Sequence, residues 1–218
     1  MPTQTKENYL KAAYFLHHKG EGISLTQLSQ EMKVSKPTVN DMVKKMEANG
    51  WVTYEKYKPL TLTAKGKKLA ALIVRKHRLA EMFLSQIMGF GWEEVHDIAE
   101  EMEHVQSDKF FDRMNELLGF PTVDPHGSPI PDKHGRTPVQ NYRPLTEAKQ
   151  GERLRLVALA DSSKELLVFL NRKNIRLGTE LRVEQIESFD QSITVKYGKE
   201  PSTMLSAEVG KCLLVEGV

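Results

Sequence analysis

The chain has 218 residues, 39% of them apolar and 28% charged, with a formal charge of +2, the balance of a soluble globular protein built from two or three modules. No run approaches the roughly 18 apolar residues of a membrane span, and the start MPTQTKENYL lacks the basic and apolar stretches of a secretion signal, so a cytoplasmic protein with no membrane partner is expected. Cys212 is the only cysteine, which excludes an intrachain disulfide and a thiolate cluster; any metal must be held by oxygen and imidazole nitrogen.

Residues 1–65 carry ten lysines against six acids and form the only net basic block large enough to suggest phosphate contacts. Tyr9, Leu10, Ala13, Tyr14 and Leu16 recur near a helical period from Lys6 to His18. Ser24 then caps a short helix through Met32, and Ser35 caps another from Lys36 to Asn49 with Pro37 in its first turn. Val39, Val43 and Met46 give that third helix its buried stripe. Two short helices joined at Lys33-Val34 read as a helix-turn-helix, and the apolar runs Trp51 to Tyr54 and Leu60 to Thr63 around a polar turn complete a winged helix. Base reading falls to Ser35, Lys36, Pro37, Thr38, Asn40 and Asp41, and phosphate contacts to Lys44, Lys56 and Lys58. The bland alternative is a three-helix module that binds another protein.

From Thr63 to Met88 the pattern becomes one long helix carrying His77 and Glu81 four residues apart. After Gly89-Phe90-Gly91 a second helix is expected from Trp92 or Glu93 to His104 or Val105. His96, Glu100, Glu103 and His104 form one polar stripe along it. Two such stripes facing each other supply the nitrogen and oxygen ligands that Mn²⁺, Fe²⁺, Co²⁺ or Zn²⁺ accept; a solvated acidic face is the competing reading. A third helix, Ser107 to Leu118, is too apolar to stand alone in water, and together with Leu84, Ile87, Met88 and Phe90 it predicts a homodimer interface.

Six prolines between Pro121 and Pro144 forbid regular helix and read as a linker, with His126 and His134 as linker histidines. Short β-rich runs follow at Arg153 to Ala160, Ile175 to Gly178, Thr179 to Ile186, Gln191 to Lys196 and Lys211 to Val215, with a helical segment at Leu166 to Leu170. They suggest a small barrel. The fold expected is therefore mainly α with a small all-β C-terminal domain: a winged helix over 1–65, a helical metal-binding and dimerisation domain over 66–120, a linker over 121–145 and an SH3-like domain over 146–218.

ENYLK at Glu7 to Lys11, SKPTV at Ser35 to Val39, RKHRLAE at Arg75 to Glu81, VHDIAEEMEHVQSD at Val95 to Asp108 and GSPIP at Gly127 to Pro131 give the chain a resemblance to the DtxR/MntR family of metal-responsive transcriptional regulators. NIRLGTEL at Asn174 to Leu181 extends it, more weakly, to the three-domain members with a C-terminal SH3-like (FeoA-like) domain. The resemblance implies a metal-activated homodimer that binds palindromic operator DNA and represses metal-uptake genes. It implies an ancillary metal site at His77, Glu81 and His96, a primary site at Asn8, Glu100, Glu103 and His104, and a weak carry-over of a third-domain ligand to Glu165 with Asp161 behind it.

Iron-responsive members usually have sulfur at the position of Glu100 and methionine at that of Asn8, whereas manganese-responsive members have a carboxylate at Glu100. The resemblance thus implies Mn²⁺, with Fe²⁺ as the alternative and two sites per subunit. Asn8 departs from the aspartate common in manganese sensors, and Lys11 from the glutamate of two-domain members; Lys11 cannot ligate while protonated and is expected to neutralise nearby carboxylates. Without metal, Glu100, Glu101 and Glu103 are expected to repel one another and leave the first helix unheld. A metal-independent winged-helix regulator and a metallohydrolase are the other readings, the latter opposed by the lack of an HExxH helix, a nucleophile elbow or a phosphate loop.

Overall fold

A computed structural model describes residues 3–20, 22–55 and 58–218, with the side chain of Lys19 left aside. Two compact units result: Met1–Ala80 with Ala99–Thr122 and Ile130–Pro138, and Glu81–Ile98 with Val123–Pro129 and Val139–Val218.

The first unit begins with helices α1 (Gln4–Lys19), α2 (Leu25–Glu31) and α3 (Lys36–Ala48). Ser24 and Gln27 close a reciprocal capping box on α2, satisfying backbone donors that a helix start would otherwise leave open. The side chain of Ser35 accepts from Thr38 N and starts α3 where Lys33, at φ 52°, has turned the chain. Strands β1 (Val52–Thr53) and β2 (Thr61–Leu62) pair antiparallel, and Ile23 bridges Leu60, so the wing is short and stitched to the start of α2. Helix α4 runs over Ala64–Gln86. A Cβ on its Gly66 would lie 1.9 Å from Trp51 O, so only glycine lets α4 leave the wing this closely. Leu10, Ala13, Ile23, Leu28, Val39, Val43, Met46 and Leu60 are wholly buried in one core. Helices α5 (Val95–Met102) and α6 (Asp108–Leu117) follow.

The predicted helix from Trp92 to Val105 is shorter than expected at both ends. Glu103 still donates its N–H to Ala99 O at 2.9 Å, but Glu103 and His104 lie in a turn beyond α5. The four-residue stripe is therefore not one helical face.

In the second unit strands β3 (Arg143–Pro144), β4 (Arg153–Leu159), β5 (Glu180–Ile186), β6 (Ile193–Lys196), β7 (Thr203–Leu205) and β8 (Leu213–Gly217) form one antiparallel sheet in the order β3-β8-β4-β5-β6-β7. Register shifts between Leu156 and Ala158 and between Val183 and Gln185 bend it. Helices α7 (Lys164–Arg172) and α8 (Ala207–Cys212) accompany the sheet, the first of them over the helical segment expected at Leu166 to Leu170. Ile175 to Gly178, expected as strand, is a turn instead, and Lys211 closes α8 rather than opening a strand.

Candidate metal centre

On α1, Glu7 and Lys11 are one turn apart and therefore share a face. Both are buried, at 4% and 8% exposure, which an isolated charge does not tolerate. Each has a partner from the α5 end. The Lys11 ammonium donates to Glu100 Oε2 at 2.6 Å and to the Glu103 carboxylate at 2.8 Å. His104 Nδ1 donates to Glu7 Oε2 at 2.6 Å, and Gln106 Nε2 donates to Glu7 Oε1 at 3.1 Å. Helix α4 adds His77, whose Nδ1 donates to Glu103 Oε2 at 2.6 Å. An ionised carboxylate only accepts, so each of these imidazoles carries its proton on Nδ1 and turns Nε2 elsewhere.

For His104 that other nitrogen lies 3.8 Å from Glu103 Oε1. This is too long for a hydrogen bond. It is a separation that two donors on one ion can have, since bonds of about 2.1 Å place neighbouring ligand atoms roughly 3 Å or more apart. Glu7 fixes the tautomer and the aim of the His104 ring. His77, Glu100 and Glu103 can each bring a ligand atom within 4.8 Å of the others. Asn8 Oδ1 is buried without a hydrogen-bond partner among the described residues, a costly state for an amide oxygen and a fitting one for a ligand. The Lys11 ammonium lies between the carboxylates of Glu100 and Glu103, where it was expected to neutralise them.

The second unit holds another cluster. Glu81, at 3% exposure, stands one helical turn after His77 on α4. His96 Nδ1 is 3.3 Å from Glu81 Oε1, with its own side chain 58% exposed. Asp124 and His126 are buried at 4% and 2%, and Glu81, Asp124 and His126 can each offer a ligand atom within 4.8 Å of the others. His126 is thus not a linker histidine. Asp124 Oδ1 accepts from His126 N at 2.8 Å and Ser128 N at 2.9 Å, forming a turn that Gly127 completes at φ 83°. A Cβ on Gly127 would meet Val157 O at 2.2 Å, so this turn lies directly on β4, where Leu159 N donates to His126 O. His126 Nε2 donates to Trp92 O at 2.8 Å and leaves Nδ1 3.9 Å from Glu81 Oε2. The same device recurs: one nitrogen anchored on an oxygen, the other aimed at a buried glutamate. Trp92 Nε1 in turn donates to Asn171 Oδ1 at 2.9 Å, at the end of α7.

Proline content hid Asp124 and His126, although the spacing Asp-Pro-His-Gly was a turn signal with two ligand types in it. Glu7 was hidden by its neighbour Asn8. Glu165 is exposed in the first turn of α7, and Asp161 accepts from Ser163 Oγ at 2.7 Å; neither joins a metal-like cluster among the described residues.

Of the predicted DNA-contacting residues, Ser35, Lys36, Pro37, Thr38, Asp41 and Lys44 are exposed at the start and outer side of α3. Asn40 is half-buried and accepts from Tyr54 OH at 3.5 Å. Lys58 pairs with Glu55 at the wing, and Lys56 lies outside the described residues. No helix among the described residues is long and apolar enough to cross a membrane.

Three family models match the chain: the N-terminal DNA-binding domain of iron-dependent repressors over residues 1–60, their metal-binding and dimerisation domain over 63–132, and the FeoA domain over 143–217. The diphtheria toxin repressor of Corynebacterium efficiens is 34% identical over 190 residues, covering 82% of each chain. The iron-dependent repressor IdeR of Mycobacterium leprae is 39% identical over 127 residues, 58% of this chain and 55% of that protein, so the chain spans about half the length of the curated relatives first matched. Among solved structures, a manganese-dependent transcriptional repressor in complex with manganese superposes with a TM-score of 0.88 at 30% identity, covering 98% of this chain and 100% of that one. ScaR with bound Zn²⁺ gives 0.81 at 32% identity over the whole of both chains. With matches in all three modules and a relative aligned over most of its length, the chain belongs to the DtxR/MntR family of metal-dependent transcriptional regulators.

Proposed function

We propose that the protein is a metal-activated transcriptional repressor that binds palindromic operator DNA as a homodimer and controls metal-uptake genes. The observation that carries this is the paired construction of the two clusters, in which His104 and His126 are each anchored through one ring nitrogen and aimed through the other at a buried glutamate. In each subunit Asn8, Glu100, Glu103 and His104 would hold one ion, with His77 steadying Glu103. Glu81 with His96, Asp124 and His126 would hold a second.

Asn8 belongs to the first helix of the winged module, and Glu100 and Glu103 to the α5 end, so ligands drawn from both fix α1 against α5. That linkage sets the two recognition helices of a dimer at operator spacing, provided the ion favours the DNA-competent arrangement over the relaxed one. Phe110 and Leu117, 41% and 54% exposed on one side of α6, are apolar surface that a second copy covers.

Oxygen and imidazole donors without sulfur favour Mn²⁺ as the physiological ion, and the solved relative named as manganese-dependent agrees with that choice. Iron(II) is the second reading, favoured by the iron-dependent relatives. Anaerobic operator titrations with Mn²⁺, with Fe²⁺ and with chelator decide between them. We expect Mn²⁺ to raise operator affinity at least tenfold and Glu103→Gln to remove most of that gain. Equal affinity with chelator would leave a metal-independent winged-helix protein.

A further inference from the structure

We infer that Lys11 is a tethered cation that occupies the first cluster in the metal-free protein and withdraws when a divalent ion binds, so that it sets the metal concentration at which the protein responds. The inference rests on the reading of Asn8, Glu100, Glu103 and His104 as a metal site.

Lys11 Nζ sits 2.6 Å from Glu100 Oε2 and 2.8 Å from the Glu103 carboxylate, with its side chain 10% exposed and that of Glu103 wholly buried. It therefore occupies one acceptor position on each of the two carboxylates that a metal ion would use. An ammonium has three donors and no acceptor, so Lys11 offers an incoming ion no ligand atom, and its positive charge repels an ion arriving on the same carboxylates. The lysine stem is long and flexible, and Glu100 is 38% exposed, which leaves the ammonium a route towards water.

Two consequences follow from occupation by a side chain rather than by a free ion. The competitor is always present at fixed stoichiometry, so it lowers apparent affinity regardless of the ionic content of the medium. It also costs every divalent ion the same displacement step, so it moves the threshold without changing the order of preference among metals. Lys11 further joins α1 to the α5 end before metal arrives, and metal binding exchanges one link between these helices for another.

Three measurements test this on the full chain. Calorimetry with Mn²⁺ and with Zn²⁺ on Lys11→Met and Lys11→Gln should show affinity at the Glu103-dependent site raised at least tenfold for both ions, about 1.4 kcal/mol, with their ratio unchanged. Lys11→Arg should bind more weakly than wild type, because a guanidinium holds two carboxylates more firmly. In wild type the lysine-ammonium NMR signal that Lys11→Met lacks should be present with chelator and vanish with the first equivalent of diamagnetic Cd²⁺. A wild-type protein that binds no metal in a Glu103-dependent way sinks the site itself. Wild-type binding that Lys11→Met and Lys11→Gln leave equal or weaker, or a Lys11 signal that persists in the Cd²⁺-loaded protein, sinks only the role of Lys11.

Discussion

Single side chains in this protein are placed by what their second atom does. His126 is expected to be a ligand because its Nε2 is committed to Trp92 O, and His126→Ala should lower metal stoichiometry by one ion per subunit in a calorimetric titration while leaving the Glu103-dependent event in place. Retention of both events would make His126 a turn-stabilising residue only. Asp132 shows a different use of a carboxylate. Its Oδ1 accepts the Arg136 backbone N–H at 2.9 Å, and with the Arg136 side chain and the His134 N–H this holds the carboxyl down from the ordinary 3.8 to about 2. A carboxylate held below its unfolded value stabilises the fold above pH 3.8 and loses that contribution as the pH falls through about 2. Asp132→Asn should therefore flatten the acid limb of a stability-versus-pH curve in that window, and an acid limb identical to wild type would show that the turn contributes nothing there.

Among the elements, helix starts were the most legible, because Ser24, Ser35 and Ser107 each accept the backbone N–H three residues on and each precedes a periodic apolar run. Short elements were not: α8 has six residues and β7 three, too few for a period to register. The candidate ligand residues of α4 and α5 could be read from spacing, but the turn around Asp124 could not, since its order comes from Gly127 lying on β4 rather than from any local pattern. Helix α3 carries the testable consequence. Lys44 is exposed on it and free of the core stripe formed by Val39, Val43 and Met46. Lys44→Glu should weaken operator binding in 0.1 M salt by about tenfold or more and reduce the salt dependence, because each phosphate contact releases counterions when it forms. An unchanged salt slope would place the DNA on another surface.

At the scale of the whole molecule the issue is what the exposed apolar side of α6 is for. Phe111 and Met114 are buried at 4% and 3% while Phe110 and Leu117 are exposed, an apolar side of the kind a second copy would cover. Leu117→Glu should convert the protein to a monomer in sedimentation experiments. It should retain metal stoichiometry, since none of the candidate ligands lies on α6, yet lose operator binding because one winged helix makes only half of the phosphate contacts. A dimer that survives this change would require a different interface, one that includes Ile87 or Met88.

The hydrogen bonds of Trp92 have an optical consequence. The chain has two tryptophans, and Trp92 has its indole stacked 6.1 Å from the His126 ring while its Nε1 is held by Asn171. If His126 held a paramagnetic ion, an indole stacked on its ring would be quenched efficiently, whereas Trp51 belongs to the wing. In a Trp51→Phe background, Mn²⁺ binding at Glu81 and His126 should extinguish most of the remaining emission, and Zn²⁺ should shift it without extinguishing it. If both clusters take up ions, the order in which they fill would be readable from the protein's own fluorescence in a stopped-flow cell, without any label.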